Sequence, residues 1–276
     1  MQRGSIAGCC IIGMLALTHL CGAEEMIQPQ RIVNCHTAGL LPRGMFEFEC
    51  SIYPNGVLGA PGCGTLFGVT VGLLNRLNLG VSYGGDGIIG REAPTFNPHI
   101  GALVKYRLFE ETYFWPAFAV GYDHQGFSGI DQAYNGYIFK SPGFFLAASK
   151  NYCIFTKAQL GLHGGINYSL EESKTVTWPN GYAGADLGIN EELAVALEYD
   201  MALNARDPGI EPAHYDNPLR GFLNAAVRWS FSRSLYLEFD IKDMLQNKVT
   251  PPTPEAPAGE HYGWDRELKF GYLQHF

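Results

Sequence analysis

From Arg43 to the carboxyl terminus, apolar and polar side chains alternate with a period of two in runs of about ten residues. That is the period of a strand with one face against an apolar medium and the other against polar surroundings. Twelve runs qualify: 44–53, 64–73, 76–84, 98–109, 112–124, 137–150, 153–169, 180–189, 192–203, 219–231, 234–242 and 265–276. No run with the 3.6-residue period of an amphipathic helix competes with them. The predicted class is all-β.

The connections alternate strictly in length. Short turns are predicted at Leu74-Asn75, Glu110-Glu111, Asn151-Tyr152, Asn190-Glu191 and Ser232-Arg233. Between them lie longer polar connections at 54–63, 85–97, 125–136, 170–179, 204–218 and 243–264, rich in Gly, Pro, Asn and Asp. Short turns at one end and long loops at the other are the habit of outer-membrane barrels, and an even strand count returns both termini to the short-turn, periplasmic end. Pro116 and Pro142 lack the N–H that a ladder needs, so each is expected at a bulge or beyond the membrane.

Alternation alone also fits a soluble sandwich with its polar face in water. Charge placement sharpens the pattern. In 98–109, Ile100, Ala102, Val104, Tyr106 and Leu108 share one face, with Lys105 and Arg107 on the other. In 192–203, Leu193, Val195, Leu197, Tyr199, Met201 and Leu203 oppose Glu198 and Asp200. Leu235, Leu237, Phe239 and Ile241 oppose Glu238 and Asp240, and Leu223, Val227, Trp229 and Phe231 oppose Arg228. Runs longer than the usual ~5–6 residues, short turns on one side only, and Tyr53, Tyr83, Tyr122, Tyr168 and Tyr199 near the loop-side ends together favour a closed antiparallel transmembrane β-barrel of about 12 strands.

The inward set of that barrel is predicted as Glu47, Glu49, Lys105, Arg107, Asp123, Lys157, Asp186, Glu198, Asp200, Arg228, Glu238, Asp240 and Lys269, in which acids outnumber bases. Counting back from the Ser232-Arg233-Ser234 turn sets Arg228 opposite Glu238 across neighbouring strands. Twelve strands ~4.8 Å apart and tilted by ~40° give a backbone radius of about 12 Å, between barrels filled by side chains and those with a broad channel.

Composition removes other classes. The 276 residues carry 19 Lys and Arg against 27 Asp and Glu, a net charge of -8, the wrong sign for a nucleic-acid surface. Thirty-four glycines exceed the ~7% usual in globular chains and suit crowded, bent strands. Arg3, the apolar run Ile6–Leu17 and Cys21-Gly22-Ala23 read as a signal peptide over 1–23, which leaves 24–42 as a periplasmic segment ahead of a barrel over 43–276. Past the signal no run is long and apolar enough for a spanning helix, which needs ~20 residues. Cys35, Cys50, Cys63 and Cys153 remain, at spacings that match no metal template.

The chain ends Phe270-Gly-Tyr272-Leu-Gln-His-Phe276, which resembles the carboxy-terminal signature of outer-membrane proteins and implies recognition by the barrel-assembly machinery through the strand ending at Phe276. Gln274 departs from the apolar residue usual there. Thr37-Ala38-Gly39-Leu-Leu-Pro42-Arg43-Gly44, Leu77-Asn-Leu-Gly80-Val-Ser-Tyr83-Gly, and Asn97-Pro98 ahead of Lys105-Tyr-Arg107-Leu resemble the YjbH group of bacterial outer-membrane barrel proteins. That resemblance implies an association with exopolysaccharide export and transfers no functional residue.

Little catalytic chemistry is legible. His163 and Ser169 lie six residues apart on one run, about 20 Å along a strand, too far for proton transfer. His124 beside Asp123 fits a polar lumen equally well, and Gly84-Gly85-Asp86-Gly87 opens no helix that would make it a phosphate loop. The expected protein is therefore a non-enzymatic barrel without a cofactor, in contact with outer-membrane lipid. Its readings are a passive, weakly cation-preferring channel for small solutes, a structural or exopolysaccharide-export barrel without an open pore, or, last, a lipid hydrolase.

Overall fold

A computed structural model of the chain describes residues 28–54, 62–90, 93–131, 136–154, 158–171, 178–204, 221–247 and 264–276. The predicted signal peptide and Lys157 lie outside them. The strands are β1 (Met45–Pro54), β2 (Cys63–Leu74), β3 (Leu77–Ile89), β4 (Thr95–Phe96), β5 (Gly101–Phe109), β6 (Ala117–Asp123), β7 (Phe127–Asp131), β8 (Gly136–Phe139), β9 (Gly143–Ile154), β10 (Ala158–Tyr168), β11 (Asn180–Gly188), β12 (Leu193–Asp200), β13 (Phe222–Ser230), β14 (Leu235–Lys242) and β15 (Asp265–His275).

Twelve of these, all but β4, β7 and β8, form one closed antiparallel ring, with β1 pairing β15 to seal it. Closure leaves no sheet edge, so the ladder groups of the described strands pair within the wall, apart from irregularities in β2–β3, β5–β6 and β9–β10, as a bilayer requires. The short turns and both ends of the ring lie on one side. Arg228 faces Glu238 in the β13–β14 register, as the turn count predicts.

The sequence boundaries shift in several places. β3 runs on to Ile89, past the expected end at 84, and β6 begins at Ala117 where the run was expected from 112, so the short turn expected at Glu110-Glu111 is a connection over 110–116. The expected strand 137–150 is divided: Gly136–Phe139 pairs instead with Phe127–Asp131 in a separate hairpin, and the barrel strand begins at Gly143. Pro142 explains the break, since it stands just ahead of the ladder, as Pro116 does before β6. The turn expected at Asn151-Tyr152 is strand instead, because β9 runs on to Ile154 and pairs Tyr152 with Leu160.

Burial reverses that of a water-soluble protein. Phe67, Val81, Val104, Leu146, Leu197, Val227 and Phe239 stand exposed on the outer wall, while Lys105, Asp123, Glu198, Asp240 and Lys242 are fully buried inside. Soluble proteins almost never bury so many charges beneath so apolar a surface. A belt of this extent on every side needs hydrocarbon around it, which excludes the sandwich that the pattern alone allowed. Tyr83, Tyr168 and Tyr199 face outward near the loop ends as expected, whereas Tyr53 turns inward and is buried, its hydroxyl donating to the Gly85 carbonyl at 3.3 Å.

Candidate functional site

Of the segment 24–42 expected in the periplasm, the described residues 28–42 are folded inside the barrel. Residues 32–41 are buried, and their contacts come from all around the ring. The segment is a hairpin: Thr37 N donates to the Gln30 carbonyl at 3.1 Å, Ile32 N to the Cys35 carbonyl at 2.9 Å, and Arg31 bridges to His36. Its limbs press so closely that a Cβ on Gly39 would come within 2.4 Å of the Pro29 carbonyl oxygen, which only glycine allows. Leu41 and Pro42 lie against Gly72 near the short-turn end of β2, and the other limb returns Gln28 beside Arg107. The tip reaches the loop-side half of the lumen.

That tip is gripped by a single carboxylate. The N–H groups of Val33, Asn34 and Cys35 converge on Glu198 Oε2 at 3.0, 2.9 and 2.8 Å, while Asn224 Nδ2 donates to Oε1 at 2.8 Å. Successive backbone amides curled about an anion form a nest, and bonds to a charged acceptor are about twice as strong as neutral ones. Ile32 and Val33 pack against Tyr182 and Ala226, and the Tyr182 hydroxyl donates to the His36 carbonyl at 2.8 Å.

Further anchors follow both limbs. Arg31 Nη2 and His36 Nε2 each lie 2.9 Å from Asp123 Oδ2, and the His36 ring stacks on Phe145 with centroids 4.0 Å apart. Burial holds the His36 pKa down at about 4, with Asp123 opposing the shift in part. Lys105 Nζ donates to the Gln30 carbonyl at 2.9 Å, Arg107 forks onto the Ala38 carbonyl at 3.1 and 3.0 Å, and Lys269 Nζ reaches the Val33 carbonyl at 3.1 Å.

The remaining predicted lumen residues fall into small networks. Arg228, Glu238 and Lys269 share one rung across three strands: Arg228 Nη2 lies 2.5 Å from Glu238 Oε2, and Lys269 Nζ lies 3.1 Å from Glu238 Oε1 and 2.6 Å from Asp240 Oδ2. Asp200 accepts from Asn180 and from Ala202 N. Glu47 and Glu49 both receive the Tyr236 hydroxyl, at 2.8 and 3.2 Å, and Gln30 donates to Glu47. Lys242 and Glu267 form a further buried ion pair. Strand parity could have found this pair, since each lies two residues from a predicted member on its own strand.

His163 has other neighbours than Ser169. Ser149 stands opposite it on β9, with Oγ 2.8 Å from Nδ1, and Nε2 meets Asp186 Oδ1 from β11. The line depends on Gly161, where a Cβ would come within 2.6 Å of His163 Nε2 and 2.3 Å of Asp186 Oδ1. These are the residue types of an acyl-transfer triad. Ser149 is only 1% exposed, however, and its Oγ already accepts the Ala38 N–H at 2.7 Å. With the hairpin in place Ser149 anchors it, and no substrate carbonyl reaches the hydroxyl.

On the loop side, the β7–β8 hairpin folds over the lumen, with Phe127 and Phe139 buried. Lys242 Nζ lies 5.0 Å from the Phe127 ring centroid, and the Arg31 guanidinium lies 5.3 Å from the same ring. Between this cover and the short-turn rim remains a cavity of about 1130 Å³. The small inward residues Gly68, Thr70, Gly80 and Ser82 of β2 and β3 make room for it, with Glu47 and Glu49 beside them on β1, Arg31 on the hairpin, and Glu191, Glu192 and Ser232 at its rim.

No protein-family model matches the chain. No curated protein matches it either. Among solved structures it is similar to the NanC porin at 11% identity and a TM-score of 0.43, covering 84% of this chain and 99% of that one. The outer-membrane protein Omp33 of Acinetobacter baumannii gives 9% and 0.38 over 84% and 98% of the two chains. An outer-membrane channel from Pseudomonas putida F1 gives 13% and 0.36 over 90% and 100%. At TM-scores below 0.5 these likenesses say nothing of what the chain carries, and its function rests on its own residues.

Proposed function

We propose that the protein is an outer-membrane channel for small solutes with a preference for cations, occupied in the state described by its own amino-terminal hairpin. The observation that supports it is the cavity of about 1130 Å³ that runs in from the short-turn rim between the hairpin and a charged inner wall. A wall of charge suits water and ions, whereas a merely structural barrel core packs as well with apolar side chains. The charge balance of the cavity favours cations. Arg228 and Lys269 are matched by Glu238 and Asp240, while the single charge of Arg31 is shared between Asp123 and Glu49. Glu47 and Glu49 then add negative potential along the path.

Reversal potentials of the purified chain in planar bilayers across a KCl gradient test this. Cation preference is expected, reduced by Glu47→Gln combined with Glu49→Gln. Anion preference, or silence under all voltages in both native protein and a variant with a loosened hairpin, refutes it. Glu198 and Asp240 are poorer targets for selectivity than their charge suggests, because the hairpin and the wall bury them completely.

A second reading is a non-conducting barrel that serves exopolysaccharide export, as the resemblance to the YjbH group implies. The hairpin inside the lumen and the β7–β8 cover above it favour it. Silent bilayers together with altered export of cell-surface polysaccharide on deletion of the gene would select it over the channel.

A further inference from the structure

We propose that residues 28–42 are a removable plug, an autoinhibitory hairpin that withdraws toward the short-turn side as one piece, with Glu198 as its latch. The channel reading enters this proposal only through an electrical readout.

Three features of the structure support withdrawal. The first is topology. Both limbs lead to the same end of the barrel, Leu41 and Pro42 against Gly72 and Gln28 beside Arg107, so the hairpin can leave without threading a loop. Among the described residues its backbone-to-backbone bonds run between its own limbs, and its backbone meets the wall through wall side chains and not through a shared ladder. The covalent tie is the short stretch into β1, where Gly44 N bonds the Gly72 carbonyl and Met45 N bonds the Pro42 carbonyl.

The second is the chemistry of the surface beneath. The hairpin sits on Lys105, Asp123, Glu198, Asp200 and Lys269. If the hairpin leaves, water replaces its amides and carbonyls around those charges, so the exposed wall is no worse solvated than any pore lining. The apolar contacts, to Tyr182, Ala226, Phe145, Ala117 and Ala119, are the part of the seat that resists separation. The adjoining cavity, with its glycine and serine side at β2 and β3, gives the hairpin and incoming water space to exchange.

The third is the concentration of grip at the tip. One carboxylate oxygen holds three consecutive amides, so a single neutralised group weakens the contact that reaches deepest. The tip also carries its own reporter: Cys35 is 7% exposed, with Sγ 4.0 Å from Asp200 Oδ2.

The test uses the full chain in lipid vesicles with Cys50, Cys63 and Cys153 changed to Ser, so that Cys35 alone reacts with a charged, membrane-impermeant maleimide. Cys35 should label slowly in this background and at least about tenfold faster in Glu198→Gln, the change expected when bonds to a charged acceptor become neutral ones. Heat-modifiable migration on gels verifies that both barrels are folded. Should Glu198→Gln fail to assemble, Ile32→Ala, which leaves the wall untouched, must give the same acceleration. Equal labelling rates in folded native, Glu198→Gln and Ile32→Ala proteins overturn the plug. Faster labelling without current leaves the plug standing and removes the channel, while new current with Cys35 still protected means that the lumen opens elsewhere and the plug proposal fails.

Discussion

Lys269 is the residue whose loss should be felt most. It is 4% exposed, and its Nζ serves Glu238 at 3.1 Å, Asp240 at 2.6 Å and the Val33 carbonyl of the hairpin at 3.1 Å. Lys269→Met preserves the length of the stem and deletes the charge. Removing one partner of a buried ion pair costs ~3–5 kcal/mol, because the other is left uncompensated. Glu238 still has Arg228 after the change, so the stranded charge is chiefly Asp240 and the lower end, about 3 kcal/mol, is expected. Adding Asp240→Asn removes that charge too and should recover ~1–2 kcal/mol, a coupling typical of residues in one network. Arg228→Met should cost less, on the order of 1.5 kcal/mol, since Glu238 keeps Lys269 and the guanidinium is partly open to the cavity. Urea unfolding in lipid vesicles, followed by tryptophan fluorescence, gives the stabilities of the native protein, Lys269→Met, Asp240→Asn, the double variant and Arg228→Met. If Lys269→Met lies within 1 kcal/mol of native, or if the double variant is simply additive, the rung does not hold the wall as described.

Two further outcomes separate the faces and the hairpin. Leu197→Arg puts a charge into the lipid belt and should cost ~2–4 kcal/mol and stall assembly in vesicles, whereas Thr70→Arg, directed into the cavity, should assemble normally; equal damage from both would mean that the faces are assigned wrongly. Because His36 binds its proton at about 4 when docked and nearer 6.5 when free, the docked hairpin is at full strength above pH 6.5 and weakens as pH falls toward 4. By pH 5 the His36 share of that loss is on the order of 2 kcal/mol, so Cys35 should label faster there relative to thiolate-corrected rates in unfolded protein, and His36→Gln should flatten the dependence.

The choice of Thr70 shows how far strand parity carries. Parity puts Ala196 on the inner face, a natural site for a tolerated charge, but Ala196 packs against the cluster of Ile32 and Val33. Parity is a property of the strand itself, so it identified which face each wall residue takes. It is silent about what enters from outside the sheet.

The same division runs through the molecule. Period-two alternation, the spacing of turns and the Ser232–Ser234 hairpin determined the twelve-stranded ring, its inside and outside, and the Arg228–Glu238 rung, because each depends on neighbours in sequence or one turn away. Pro142 was legible as a fault in the ladder, though the separate hairpin it permits was not. Only the tertiary structure decided that residues 28–42 lie within the lumen, and that Glu198 closes on three of their amides. Nor could sequence join Ser149, His163 and Asp186, which meet across three strands. Ile32, Val33, Leu40 and Leu41 are apolar, yet burial has no period in a single short hairpin, and the segment was expected in the periplasm. Its place is fixed by unpaired amides meeting carboxylates more than 160 residues away, a complementarity that exists only once the barrel is closed.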